Sequence, residues 1–241
     1  MIYGIISDIH GNLEALLSVQ KYLESHRVEK VICLGDIVGY GANPRECIKV
    51  VKKISQIILA GNHDFAVCGK TLIEDFNPYA KEAVLWSREV LNEEELIFLG
   101  NLPFKYEEDD TIFVHSSLHR PEAWRYLFDP VDTYKDFQIM EKNTLFVGHT
   151  HVPIIFEDDG IKVKMLNSPD LYLSPNNKYI INPGSVGQPR DRDPRASFII
   201  YNSKERNIKR IRVEYNIKEA QRKIREAGLP EILATRLEYG G

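Results

Sequence analysis

Histidine is the residue whose placement in this chain could do chemistry. Five of the seven histidines fall in four short motifs: Asp8-Ile9-His10, Gly61-Asn62-His63-Asp64, Val114-His115 and Gly148-His149-Thr150-His151. Each motif sits at or just after the end of an apolar run that reads as a strand, and one further run ends in Gly35-Asp36. Taken singly, these are weak signals. A Gly-Asp after a strand is usually a turn or a helix cap, and Asn62 alone reads as a turn residue. His149 and His151, two apart, would point the same way from a regular strand, which fits a metal site or a half-buried strand equally. Together and in this order, the motifs are very hard to obtain by chance at ordinary residue usage.

The elements that must position these groups alternate. Ile2 to Ile6 is a short apolar run, and Leu13, Leu16, Leu17 and Leu23 are expected on one helical face. Val31 to Leu34 is a second buried strand. Asn43-Pro44-Arg45-Glu46 starts a helix, with Asn as cap and Pro at the first position, and Ile57 to Ala60 is a third strand. This strand–helix alternation implies parallel pairing. In such sheets ligands lie beyond the carboxyl ends of the strands, so Asp8, His10, Asp36, Asn62, His63, His115, His149 and His151 are expected on one rim.

Helices are expected from Asn77-Pro78 toward Leu91 and over Glu93 to Leu99, with Tyr106 to Asp110 as a turn. Strands follow at Ile112 to Val114 and Leu145 to Val147, and Asp158-Asp159-Gly160 marks a hairpin. Tyr179 to Ile181, Phe198 to Tyr201 and Ile208 to Val213 look like an antiparallel half. A last helix runs from about Ile217 to Ala227, stopped by Gly228 and Pro230. The expected organisation is one α/β domain over 1–241, with a helical cap-like region at about 64–100 and a surface insertion at about 116–140.

Composition bounds what such a domain can do. The 241 residues carry 31 Lys and Arg against 35 Asp and Glu, a net charge of −4, which disfavours duplex nucleic acid or an anionic membrane as partner. Cys33, Cys47 and Cys68 have no paired spacing and read as reduced thiols. No apolar run is long enough to span a bilayer, and Met1 to Gly11 lacks the pattern of a signal peptide, so a cytoplasmic location is expected.

The motif set resembles the calcineurin-like metallophosphoesterase superfamily. All five of its signature blocks are intact between Asp8 and the segment Asn182-Pro183-Gly184-Ser185. Asp8-Ile9-His10-Gly11-Asn12 and Asn182 to Arg190 are similar to the small prokaryotic phosphodiesterase and dinucleoside-polyphosphate hydrolase-like branch. The resemblance implies a four-layer α/β/β/α sandwich of two mixed sheets. It implies two divalent metals: Asp8, His10 and His151 on the first, Asn62, His115 and His149 on the second, and Asp36 between them. Such donors suit manganese first, with iron, zinc, nickel or magnesium as alternatives. Two such ions activate a bridging hydroxide for in-line attack on phosphorus. His63 is then a proton or hydrogen-bond donor with Asp64 orienting its ring, a plain helix cap being the alternative for Asp64, and Asn62, His63, Asn12 and Arg190 are the implied substrate contacts.

The expected substrate is small, phosphorylated and of nucleotide type. A dinucleoside polyphosphate, or no substrate at all on a metal-binding scaffold of the same fold, are the alternatives. Arg190, Arg192 and Arg195 could bind phosphate, but Asp191 and Asp193 alternate with them and favour local ion pairs. Arg192 stands where the resemblance leads one to expect a small residue. Trp86 and Trp124 could stack a base, though an aromatic in a helix is more often core; His119 is expected in a solvated loop, with a substrate contact as the alternative, and His26 near a helix end. The oligomeric state is left open.

Overall fold

The computed structural model describes residues 1–241. Twelve strands form two six-stranded mixed sheets. In the first, the order is β3 (Ile57–Ile58), β2 (Lys30–Cys33), β1 (Ile2–Ile6), β11 (Ala196–Asn202), β12 (Asn207–Val213) and β9 (Asp170–Tyr172). In the second it is β4 (Lys105–Glu108), β5 (Thr111–Val114), β6 (Thr144–Phe146), β10 (Lys178–Asn182), β7 (Ile154–Asp158) and β8 (Val163–Leu166). Strands β1, β2 and β3 pair in parallel, as do β5, β6 and β10; the remaining pairs are antiparallel.

Side-chain alternation builds the layers. Tyr3 and Ile5 of β1, Phe113 of β5 and Phe146 of β6 point between the sheets, where they meet Ile181, Ile199 and Tyr201. Their neighbours Ile6, Ile112, Val114 and Leu145 point outward. Each fully buried aliphatic or Phe side chain contributes roughly 1.5–3 kcal/mol. Outside the first sheet lie helices α1 (Leu13–Ser25) and α2 (Pro44–Ile54), packed through Leu16, Val19, Leu23, Cys47 and Val51. The expected leucine face holds except for Leu17, which is 46% exposed because the buried stripe runs through Ala15, Leu16, Val19 and Leu23.

Between β3 and β4 come three helices, α3 (Asn62–Val67), α4 (Pro78–Val90) and α5 (Glu93–Gly100). Residues 116–140 contain a 3-10 turn (Pro121–Ala123) and α6 (Tyr134–Ile139); Leu127, Phe137 and Met140 cover the outer face of the second sheet. The turn between β4 and β5 is narrower than expected: Tyr106 to Glu108 belong to β4 and pair with Thr111 to Phe113. The expected antiparallel half is divided, because β10 inserts between β6 and β7 while β11 and β12 extend the first sheet. After α7 (Ile217–Glu226), Gly228 ends the helix at φ +70°, and Pro230 caps α8 (Glu231–Tyr239), which the sequence reading left out. Helices α7 and α8 pack on Tyr40, Ala80 and Ala83.

Candidate active site

The carboxyl ends of five parallel-paired strands converge. Asp8 and His10 follow β1, Asp36 follows β2, Asn62 and His63 follow β3, His115 follows β5, and His149 and His151 follow β6. The turns that present them are unusual. Asp8, His10, Asp36, His149 and His151 all have left-handed backbone, with φ between +49° and +68°. A non-glycine residue there costs about 1–2 kcal/mol, and such outliers persist only where surrounding structure over-determines them. The bracing comes from residues 182–188. Ser185 Oγ donates to Asp8 O at 2.7 Å, Asn182 Nδ2 donates to Gly148 O at 2.5 Å, and Gln188 O faces His151 Nδ1 at 2.7 Å. Two glycines permit the close approach: a Cβ on Gly61 would strike the Asp36 carboxylate, and one on Gly148 would lie 2.8 Å from Asp8 Oδ2.

The side chains form two groups that share Asp36. In the first, His10 Nε2 lies 3.0 Å from His151 Nε2 and 3.4 Å from Asp36 Oδ2, and His151 Nε2 lies 3.4 Å from Asp8 Oδ1. In the second, His115 Nε2 is 3.4 Å from Asp36 Oδ2, and His149 stands beside it with ring centroids 5.2 Å apart. The ligand atoms of Asp8, His10, Asp36 and His151 lie within 4.8 Å of one another, as do those of Asp36, His115 and His149. Second nitrogens are tethered to main-chain oxygens: His10 Nδ1 to Val38 O at 3.0 Å, His115 Nδ1 to Leu34 O at 3.1 Å, and His149 Nε2 to Trp124 O at 2.9 Å. Such tethers fix the tautomer and aim the other nitrogen inward. Asp36 Oδ2, His115 Nε2 and Asn62 Oδ1 are buried with no hydrogen-bond partner. Orphaned buried polar atoms are costly, and Asp36 Oδ2 with His115 Nε2 3.4 Å away fits a cation there.

The sequence profile of the calcineurin-like phosphoesterase superfamily domain matches residues 1–206. The chain belongs to that superfamily. It is 43% identical, over 98% of its own length and 97% of the relative's, to the uncharacterized protein MJ0912 of Methanocaldococcus jannaschii. The crystal structure of a metallophosphoesterase from Sphaerobacter thermophilus superposes with a TM-score of 0.89 at 41% identity, covering 100% of this chain and 99% of that one. A hypothetical protein, PH1004, of Pyrococcus horikoshii shares the fold at a TM-score of 0.80 and 22% identity, covering 100% and 98%. The chain is thus a phosphoesterase, a hydrolase with a metal-ligand-like cluster of buried Asp and His side chains. None of its helices is long and apolar enough to cross a membrane.

Charge within the phosphoesterase site is unevenly distributed. Burial lowers the pKa values of His10 and His151 far below the ordinary imidazole range, and takes His149 to about 3 and His63 to about 4. Burial raises Asp8. For Asp36 and His115 burial is outweighed: His115 and His63 hold the Asp36 carboxyl well below its usual range, and Asp36 and Asp8 lift His115 to about 9. Among the histidines gathered here, His115 is the one pushed toward its charged form, by the carboxylates of Asp36 and Asp8 beside it.

One role expected from the sequence is corrected. Asp64 does not orient the His63 ring. Its carboxylate accepts from the main-chain N–H groups of Asp36, Ile37, Val38 and Gly61 at 2.8–3.3 Å, so it caps α3 and clamps the loop after β2. His63 instead is held through its main chain, which donates to Asp36 Oδ1 at 2.8 Å, and its ring packs among Tyr40, His10 and Phe76. Asn12 Oδ1 accepts from Ala15 N–H to cap α1, and one N–H of its Nδ2 donates to Gly187 O at 2.8 Å. His149 and His151 do converge, through left-handed turns rather than through the pleat of a strand.

Asn62, His63 and His149 open onto a cleft of about 420 Å³ walled by Tyr40, Leu72, Phe76, Trp124 and Tyr126. Tyr126 stacks on His149 with ring centroids 4.0 Å apart. The sequence reading weighed Trp124 and missed Tyr40, Phe76 and Tyr126, since scattered aromatics carry no spacing signal; Trp86 packs against α7 and α8. Arg190 is half-buried beside Tyr40, whereas Arg195 pairs with Asp193, and Asp191 pairs with Arg212. Arg192 is exposed at φ +66°, which is why a small residue is expected there. His119 is half-buried, its N–H donating to Asp136, and His26 is exposed beyond α1.

Proposed function

We propose that the chain hydrolyses phosphodiester or phosphoanhydride bonds in a small nucleotide-type substrate with two divalent metal ions, manganese first among them. The observation that carries this reading is the pair of ligand groups sharing Asp36 at the floor of an aromatic-walled cleft. Asp8, His10 and His151 would hold one ion, Asn62, His115 and His149 the other, and Asp36 both. Bound there, the ions supply Lewis acidity, lowering the pKa of water and offsetting phosphoryl charge.

The chain's own residues would do the rest. The phosphoryl group lies over Asn62 and His63, with Arg190 on the side of Tyr40. A pKa near 4 favours a neutral His63 at physiological pH, which supports hydrogen-bond donation to a phosphoryl oxygen over proton transfer to the leaving group. The walls formed by Tyr40, Phe76, Trp124 and Tyr126 exclude water and suit a planar base.

The deciding experiment pairs metal analysis of the purified protein with hydrolysis of bis(4-nitrophenyl) phosphate in Mn²⁺, followed by cyclic nucleotides and dinucleoside polyphosphates. About two metals per chain and Mn²⁺-dependent turnover are expected. In His63→Gln, turnover should fall roughly a hundredfold with metal content intact; loss of metal from that variant would make His63 a ligand. A protein that holds metal and cleaves nothing would instead fit a scaffold.

A further inference from the structure

Beyond the residues matched by the superfamily profile, α8 brings Arg236 toward the site. Its Nη1 donates to Gln188 Oε1 at 3.2 Å, and its Nε donates to Gly241 O at 2.9 Å. Arg190 Nη2 donates to the same Gln188 Oε1 at 2.9 Å, and to Tyr40 Oη at 3.3 Å. Two guanidinium groups thus share one neutral amide oxygen. No side-chain carboxylate lies within ion-pair distance of either, whereas Arg195 pairs with Asp193 and Arg212 with Asp191 and Asp193. Arg190 Nε is buried without any partner.

The pair is joined directly to the candidate metal ligands. Gln188 faces His151 Nδ1 through its carbonyl oxygen at 2.7 Å, and Tyr40 lies against His10 with ring centroids 4.7 Å apart. Like charges brought together half-buried repel unless an anion joins them, and two planar forks suit phosphate oxygens.

We propose that Arg190 and Arg236 form a second anion subsite, which receives a phosphate of the substrate adjacent to the one being cleaved. This rests on the function proposed above and narrows its substrate to molecules with two or more linked phosphates. Gln188 acts as the hinge pin between the two forks.

Calorimetric titration of the Mn²⁺-loaded protein with inorganic pyrophosphate and with orthophosphate tests the subsite, the anion being recovered and checked for cleavage after each run. Pyrophosphate should bind more tightly than orthophosphate, and Arg236→Gln and Arg190→Gln should each weaken it tenfold or more. Arg236→Lys, which keeps the charge and loses the fork, should fall between and serves if the Gln variant does not fold. With Mn²⁺, Arg236→Gln should raise KM for a dinucleoside polyphosphate far more than for bis(4-nitrophenyl) phosphate. No preference for pyrophosphate, or equal loss for both anions or both substrates, would overturn the subsite. Absence of any Mn²⁺-dependent hydrolysis would instead sink the proposed function while leaving the binding result readable.

Discussion

The two ligand groups around Asp36 differ in how completely the protein closes them. Asp8, His10 and His151 are 0–2% exposed, lie in mutual contact, and are braced by Ser185 and Gln188. Asn62 and His149 are 7% and 4% exposed, face the cleft, and sit beside the unpartnered atoms Asn62 Oδ1 and His115 Nε2. On the two-metal reading proposed above, the closed group would retain an ion and the open one would share an ion with solvent and substrate. Binding and exchange would then fall on opposite sides of one carboxylate.

Because Asp36 belongs to both groups, Asp36→Asn should erase the contrast, cutting kcat/KM for an aryl phosphodiester roughly a thousandfold or more and depleting both metals, as read by kinetics and metal analysis. A smaller effect separates the sides. In Asn62→Ala, one metal should survive gel filtration, turnover should fall about a hundredfold, and millimolar Mn²⁺ should restore part of it. In His10→Ala the retained ion should be lost, and added Mn²⁺ should restore little. Identical behaviour in the two variants would abolish the distinction.

Protons sharpen it further. His115 is protonated below about pH 9 in the metal-free protein, because its carboxylate neighbours outweigh burial. A cation at the open group must displace that proton, so its affinity should rise with pH up to about 9 and fall about tenfold per unit below. Titrations with Mn²⁺ at several pH values, with proton release followed in weak buffer, check the sign. The smallest effect belongs to the cleft wall: Tyr126→Ala, which uncovers the His149 ring, should raise KM for a nucleotide several-fold while leaving kcat within about twofold.

Much of this was legible in the residues. The alternation of β1, α1, β2, α2 and β3 announced parallel pairing, and the motifs at their ends located the rim. What stayed hidden was set by non-local geometry. Nothing in Tyr179 to Ile181 says that β10 joins β6 rather than β11, since both sheets offer an apolar face. Asp64 follows His63 directly, yet its position three residues beyond the cap turns its carboxylate toward main-chain amides instead of the ring. Helix α8 begins three residues after the stop at Gly228, and Arg236 looks in sequence like any basic residue in a last turn. The left-handed turns at five of the motif residues leave no trace in composition, because Asp and His occupy that region more readily than most residues but not often.

Those turns have a consequence for anyone who would move this chemistry elsewhere. Copying the seven side chains onto another α/β frame, rotamer for rotamer, would not reproduce the centre, since each inward direction is set by a main chain that relaxes once its braces are removed. The transferable unit is the set of loops together with the 182–188 strap, and the first sign of a failed graft would be backbone mobility at the rim before any loss of the sheets.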